Sequence, residues 1–168
     1  MKVGPIEDTP IIQFGREEQR GPRIHGNDAL VITALLVNYE IGRVFIDSGS
    51  SADILFGEAY DQMQLGDVSL TQVDTSLYGF VGEIVHPRDI PSAYNVILGR
   101  PTLNAFHAIT STYHMKIKFL VNGGVGEVHA NVLQARKCYI EAIKKGKKRG
   151  LDKTQDDNDH VKKGEKTR

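Results

Sequence analysis

From Ala29 to Val37 the chain runs Ala-Leu-Val-Ile-Thr-Ala-Leu-Leu-Val, a β-branched and leucine-rich stretch without a polar stripe at helical period. It predicts a buried strand. Asn38-Tyr39-Glu40 marks a turn, and Ile41-Gly42-Arg43-Val44-Phe45-Ile46 reads as the antiparallel partner. Asp47-Ser48-Gly49-Ser50-Ser51 then supplies loop chemistry, and apolar residues at Ile54, Leu55, Phe56, Ala59 and Met63 predict a short helix over Ala52 to Met63, interrupted or capped near Gly57. Strand-like pieces, Leu70 to Val73 and Ser76 to Tyr78, lead into Tyr78-Gly79-Phe80-Val81-Gly82, where two glycines around an aromatic predict a mobile hairpin tip.

His86-Pro87-Arg88-Asp89-Ile90-Pro91-Ser92 is expected to be a loop, because proline removes ladder donors and biases its predecessor away from helix. Tyr94 to Gly99 reads as a short apolar strand, and Arg100-Pro101-Thr102 opens a helix with proline in its first turn. Tyr113 to Phe119 alternates apolar and polar, predicting a half-exposed strand; Asn122-Gly123-Gly124-Val125-Gly126 is a hairpin turn, and Glu127 to Asn131 returns beside it. A helix from about Val132 to Lys145 would place Val132, Ala135, Tyr139, Ala142 and Ile143 on one face, with Gly146 ending it. Residues 1–24, with Gly4-Pro5, Thr9-Pro10 and Gly21-Pro22, predict a flexible linker, and residues 146–168 a disordered basic and polar tail.

Composition narrows the class. At 168 residues, 40% hydrophobic and 25% charged, the chain has the composition of one globular domain. No run approaches the ~18 apolar residues of a membrane span, and Met1-Lys2-Val3-Gly4-Pro5 begins no secretory h-region, so no membrane or secretory route is expected and the compartment is cytoplasmic or unassigned. Cys138 is the single cysteine, which excludes an internal disulfide and a zinc site built on several cysteines. The histidines lack metal-site spacing, so no metal is expected. Net charge is zero, yet residues 144–168 hold ten basic against five acidic residues, leaving the tail at +5 and the remainder at −5. Mixed signs without aromatics suit a solvated extension, with at most weak nucleic-acid contact.

The most informative chemistry is an aspartate emerging from an apolar strand into Asp47-Ser48-Gly49-Ser50. A buried strand fixes the carboxylate, Gly49 lets backbone approach closely, and the Ser48 and Ser50 hydroxyls can hold the loop. Such an aspartate suits proton sharing with a second carboxylate, one acting as base and the other as acid.

Three ordered motifs resemble the retropepsin-like aspartic proteases of retroviruses and long-terminal-repeat retrotransposons, above all the protease segment of plant Ty3/gypsy-type Gag-Pol polyproteins. They are Val44 to Phe56, Leu77 to Glu83, and Pro91 to Asn104; Ser111 to Phe119 and Gly124 to Val128 also look like that group. The resemblance spans most of residues 25–143. It implies a mainly β, pepsin-like half-barrel over residues 25–131 with short helices, followed by a C-terminal helix over 132–145. It makes Asp47 the catalytic aspartate, Ser48, Gly49 and Ser50 its loop, Tyr78, Gly79, Phe80, Val81 and Gly82 the flap, and Ile97, Leu98, Gly99 and Arg100 the supporting turn. One Asp-Ser-Gly per chain implies a homodimer, a polypeptide substrate of the Gag-Pol kind, and no cofactor.

In one respect the chain departs from that family. Relatives carry roughly two further body strands where Glu83 to Ile90 joins flap and support strand almost directly, and residues 84–91 are too few to supply them. The shortening is expected to strip sheet neighbours from Ile97-Leu98-Gly99 and expose an edge. Two functions follow from the resemblance: an aspartic endopeptidase, or a protease-derived remnant that keeps dimerisation or peptide binding without catalysis.

Overall fold

A computed structural model of the chain describes residues 10–18, 28–36, 38–64, 77–78, 84–85 and 91–145. The expected strand over Leu70 to Val73, the flap residues Gly79 to Gly82, most of the 84–91 joint and the 146–168 tail lie outside these residues. The described part is mixed but mainly strands, with three α-helices including one at the C-terminal end, and no closed barrel forms among the described residues.

The first hairpin follows the apolar pattern. Strands β1 (Val31–Leu36) and β2 (Tyr39–Ile46) pair antiparallel. Asn38 turns the chain with φ 69, a left-handed conformation that asparagine tolerates better than most residues. Where a helix is expected, Ile54–Leu55 instead form β3, and helix α1 begins only at Gly57 and ends at Gln62. The reason is tertiary: Ile54 and Leu55 pair antiparallel with Ile97 and Val96 and so satisfy the outer edge of strand β6 (Val96–Leu98). Short hairpin strands β4 (Leu77–Tyr78) and β5 (Ile84–Val85) pair antiparallel with each other.

Strand β6 enters between β2 and β3, giving the sheet order β1-β2-β6-β3. It runs parallel to β2, with Val44, Phe45 and Ile46 facing Val96, Ile97 and Leu98. The support strand therefore has a neighbour on both sides, contrary to the expectation that the shortened joint would leave it at an edge. Helix α2 (Arg100–Ala105) follows, with Pro101 in its first turn as expected. A three-stranded sheet comes next, β7 (Ile109–Ser111), β8 (Lys116–Val121) and β9 (Gly124–His129), in that order. The turn between β8 and β9 is tighter than the sequence suggests, Asn122-Gly123 alone, with Gly123 at φ 86.

The main core cluster lies on one face of the first sheet. Leu30, Ile32, Ile41, Val44, Ile46 and Val96 meet Met63 from the end of α1, Leu103 from α2 and Ile117 from β8. Helix α3, over residues 132–145, starts where the Asn131 side chain accepts the Gln134 amide at 3.0 Å. Its inward face differs from the expected one: Ala135 and Cys138 are buried, whereas Tyr139 and Ile143 are exposed. The cause is polar. The helix covers backbone of the first sheet at Gly42 and Arg43, so Gln134 accepts the Arg43 amide at 3.0 Å and Glu141 meets the Arg43 guanidinium at 3.3 Å.

Strand β8 is not half-exposed either, because a segment laid across it buries its polar face. Lys116 and Lys118 are buried beneath residues 13–18, part of the stretch expected as linker. Glu18 lies 2.9 Å from Lys116 and 2.8 Å from Lys118, Gln13 offers its carbonyl to Lys118 at 2.7 Å, and Phe14 stacks on His114. Hydrogen bonds from Lys118, the Gly15 amide and Lys116 hold Glu18 down at about 2. A carboxyl whose value falls on folding stabilises the docked segment fully above its free value of 4.5, and that contribution is lost as pH falls toward about 2. Acidification through that window is expected to erase the Phe14–His114 contact, followed by NMR, while the β8–β9 hairpin persists. At neutral pH, Glu18→Gln is expected to speed tryptic cleavage after the exposed Arg16; an unchanged cleavage rate would show that Glu18 does not hold the segment.

Candidate active site

Asp47 leaves β2 at its C-terminal end and remains tied to the sheet. Its amide donates to the Leu98 carbonyl of β6 at 3.0 Å, extending the parallel ladder by one bond beyond Ile46. The carboxylate is half-buried, and its Oδ1 accepts the Gly49 amide at 2.9 Å. A Cβ on residue 49 would sit 3.1 Å from that oxygen, so glycine allows the loop to close on its own aspartate. Ser48 is exposed, and Ser50 secures the loop from within, its amide donating to the Asp47 carbonyl at 3.2 Å and its hydroxyl to the Ala52 carbonyl at 2.7 Å.

The support turn grips this loop at several points. The Arg100 amide donates to the Ser50 carbonyl at 3.0 Å, and the Arg100 guanidinium reaches the Gly49 carbonyl at 3.2 Å. Gly99 is buried beneath the loop; a methyl group there would press into the Ala52 carbonyl oxygen and come 2.9 Å from that of Ser50. Sequence reasoning passed over Asp53, whose carboxylate accepts the Gly99 amide at 2.7 Å and the Thr102 hydroxyl at 2.8 Å. Its only local signal was an acidic residue ahead of Ile54, which read as the start of a helix.

The structure thus joins Asp47, Gly49 and Ser50 to Leu98, Gly99 and Arg100 in one hydrogen-bonded knot. It describes only Tyr78 of the expected flap, on β4 opposite Ile84, while Gly79, Phe80, Val81 and Gly82 fall outside the described residues. Strand alternation separates two environments around the knot. Val44, Ile46 and Val96 point into the core, whereas Phe45, Ile97 and Ile54, in register across β2, β6 and β3, form a half-buried apolar row on the other face. Continued by one step, the same alternation puts Asp47 on the side of that row. Phe45 is further covered by Tyr94, stacked at 4.9 Å.

An apolar cavity of about 510 Å³ opens on the opposite, core face, walled by Ile32, Val44, Ile46, Leu98, Leu103 and Ile117. It belongs to the interior between the sheets and not to the Asp47 side. No group of three or more metal-ligating side chains occurs among the described residues, and no helix among them is long and apolar enough to cross a membrane.

No family model matches the chain, and neither the curated proteins nor the solved structures contain a significant match.

The packing around Gly99 makes a direct prediction. Gly99→Ala forces the loop and the turn apart and is expected to destabilise the protein by about 1–3 kcal/mol, read as a lower Tm. A Tm equal to that of the wild type would mean that the Ser50 to Ala52 carbonyls do not crowd this position.

Proposed function

We propose that the chain is a retropepsin-like aspartic endopeptidase of retrotransposon origin, in which two Asp47 carboxylates of a homodimer activate water to hydrolyse a Gag-Pol-type polypeptide. The observation that carries this reading is the knot at the joined ends of β2 and β6, where Asp47 is held through its own amide by the Leu98 carbonyl. A carboxylate anchored to a sheet and half-open to solvent is positioned without being sealed. On this reading the fold is a pepsin-like half-barrel that lacks about two body strands, and the Tyr78–Gly82 hairpin is its flap.

The need for a second copy follows from the local chemistry. Water activation between two carboxylates requires a partner for Asp47, and the nearest acid in sequence, Asp53, already commits one oxygen to the Gly99 amide and the other to the Thr102 hydroxyl. A twofold axis supplies the second Asp47 by symmetry. One carboxylate then takes a proton from the bridging water while the other, protonated, polarises the scissile carbonyl. The tetrahedral intermediate forms without a covalent acyl-enzyme, and neither a metal nor an organic cofactor has a part in it. The half-buried row of Phe45, Ile97 and Ile54 supports apolar side chains in the substrate.

Purified full-length protein is expected to sediment as a dimer and to cleave a Gag-type peptide at mildly acid pH. Asp47→Asn is expected to lower the rate by about 10²–10⁴-fold, and a pepstatin-like inhibitor to block it. A folded dimer that cleaves nothing overturns the enzymatic reading and leaves a peptide-binding remnant. Cleavage that survives Asp47→Asn would place the chemistry elsewhere.

A further inference from the structure

We propose that Asp53 is a positioning residue for the catalytic carboxylate, acting through the single peptide unit that joins Leu98 to Gly99; the inference rests on the protease reading above. The carbonyl of that unit accepts the Asp47 amide at 3.0 Å. Its N–H donates to Asp53 Oδ1 at 2.7 Å. One rigid plane is therefore held by the candidate catalytic aspartate on one side and by Asp53 on the other, and rotation of the plane moves both bonds together.

The second oxygen of Asp53 fixes the carboxylate. Asp53 Oδ2 accepts the Thr102 hydroxyl at 2.8 Å, so the side chain spans the turn and the first residues of α2 and cannot follow the peptide if the peptide tilts. Among the described residues of the 47–53 loop, Asp53 alone sends its side chain across to the turn; Ser50 directs its hydroxyl back to Ala52, within the loop. The remaining cross-links, Arg100 to Ser50 and to Gly49, use loop carbonyls and do not bond the Leu98–Gly99 peptide itself. Charge assistance makes the Asp53 bonds stronger than those between neutral groups, and a polarised peptide N–H strengthens the acceptor at the other end of the same unit. Asp53 thereby sets the direction in which the Leu98 carbonyl meets Asp47. A displacement near 1 Å at a reacting group costs about a hundredfold in rate.

The test uses the full chain and three variants. In Asp53→Ala, kcat is expected to fall about ten- to a hundredfold with KM within about threefold, because substrate contacts stay in place while the carboxylate loses its register. Asp53→Asn keeps one oxygen for the Gly99 amide and turns its NH₂ toward the Thr102 hydroxyl oxygen, so it is expected to recover most of kcat. Thr102→Val leaves the Gly99 bond and is expected to lie between the two. Hydrogen exchange by NMR on the same samples is expected to quicken at the Asp47 and Gly99 amides in Asp53→Ala and to stay unchanged along β8 and β9.

Wild-type kcat in Asp53→Ala overturns the proposal, as does unchanged exchange at both amides. A uniform rise in exchange across the protein, with kcat per folded molecule preserved, also overturns it by reducing Asp53 to a general stabiliser. If Asp53→Ala does not fold, the order wild type, Asn variant, Thr102→Val in kcat decides, and equal kcat in all three overturns the proposal. If the wild type cleaves nothing, the protease reading fails separately, and exchange at Asp47 and Gly99 still decides whether Asp53 holds the peptide.

Discussion

The parallel pairing of β2 with β6 is the constraint on which the rest of the molecule depends. It joins Val44, Phe45 and Ile46 to Val96, Ile97 and Leu98 across roughly fifty intervening residues. The pairing divides the sheet into the face of the main core cluster and a second face where Val31 is buried and Phe45, Ile97 and Ile54 are half-buried, and both strands end at the same level. The Asp47 loop and the Gly99 turn therefore meet without any helix or long loop to bring them together. Closing so long a loop has an entropic cost, but that cost grows slowly, by about 0.6 kcal/mol for each doubling of length. A chain that loses or gains residues between the two strands thus keeps the pairing at nearly the same cost. The slow growth of that cost is consistent with β6 holding its place between β2 and β3 at so large a sequence separation.

Elements defined by their own residues were legible in the sequence. The β1–β2 hairpin follows from an apolar run broken at Asn38, α2 from Pro101 in its first turn, and the β8–β9 hairpin from Asn122-Gly123. What escaped were positions whose state is set by a distant partner. Ile54 and Leu55 have spacing that fits a helix, and two residues are too few to show a period of two, so only the open edge of β6 makes them a strand. Lys116 and Lys118 look like the solvent face of an alternating strand until a segment about a hundred positions earlier covers them with Glu18. The inward face of α3 does not follow its apolar spacing, because that face includes Gln134 and Glu141, polar residues drawn inward by Arg43.

The candidate site divides in the same way. Asp47, Gly49 and Gly99 stand out in sequence because close backbone approach needs glycine and a strand end needs a turn. The structure adds a reason for each, an oxygen of Asp47 beside Gly49 and the loop carbonyls above Gly99. Asp53 carried no such mark, since its partners, Gly99 and Thr102, lie more than forty positions later. Hydrogen-bond geometry alone separates it from an ordinary acidic residue at the start of a helix.

Cross-links of this kind also set where the site can yield. The loop from Asp47 to Asp53 and the turn from Leu98 to Thr102 are bound through backbone and side chain, and any shift of one must carry the other. On the proposed reading, motion that admits a polypeptide comes from elements outside the knot. Rigidity then falls to the sheet ends, where a catalytic carboxylate must hold its place. A functional site built on strand ends keeps its geometry better than one on loops. Here the loop gains that rigidity by being bonded, residue by residue, to the end of β6.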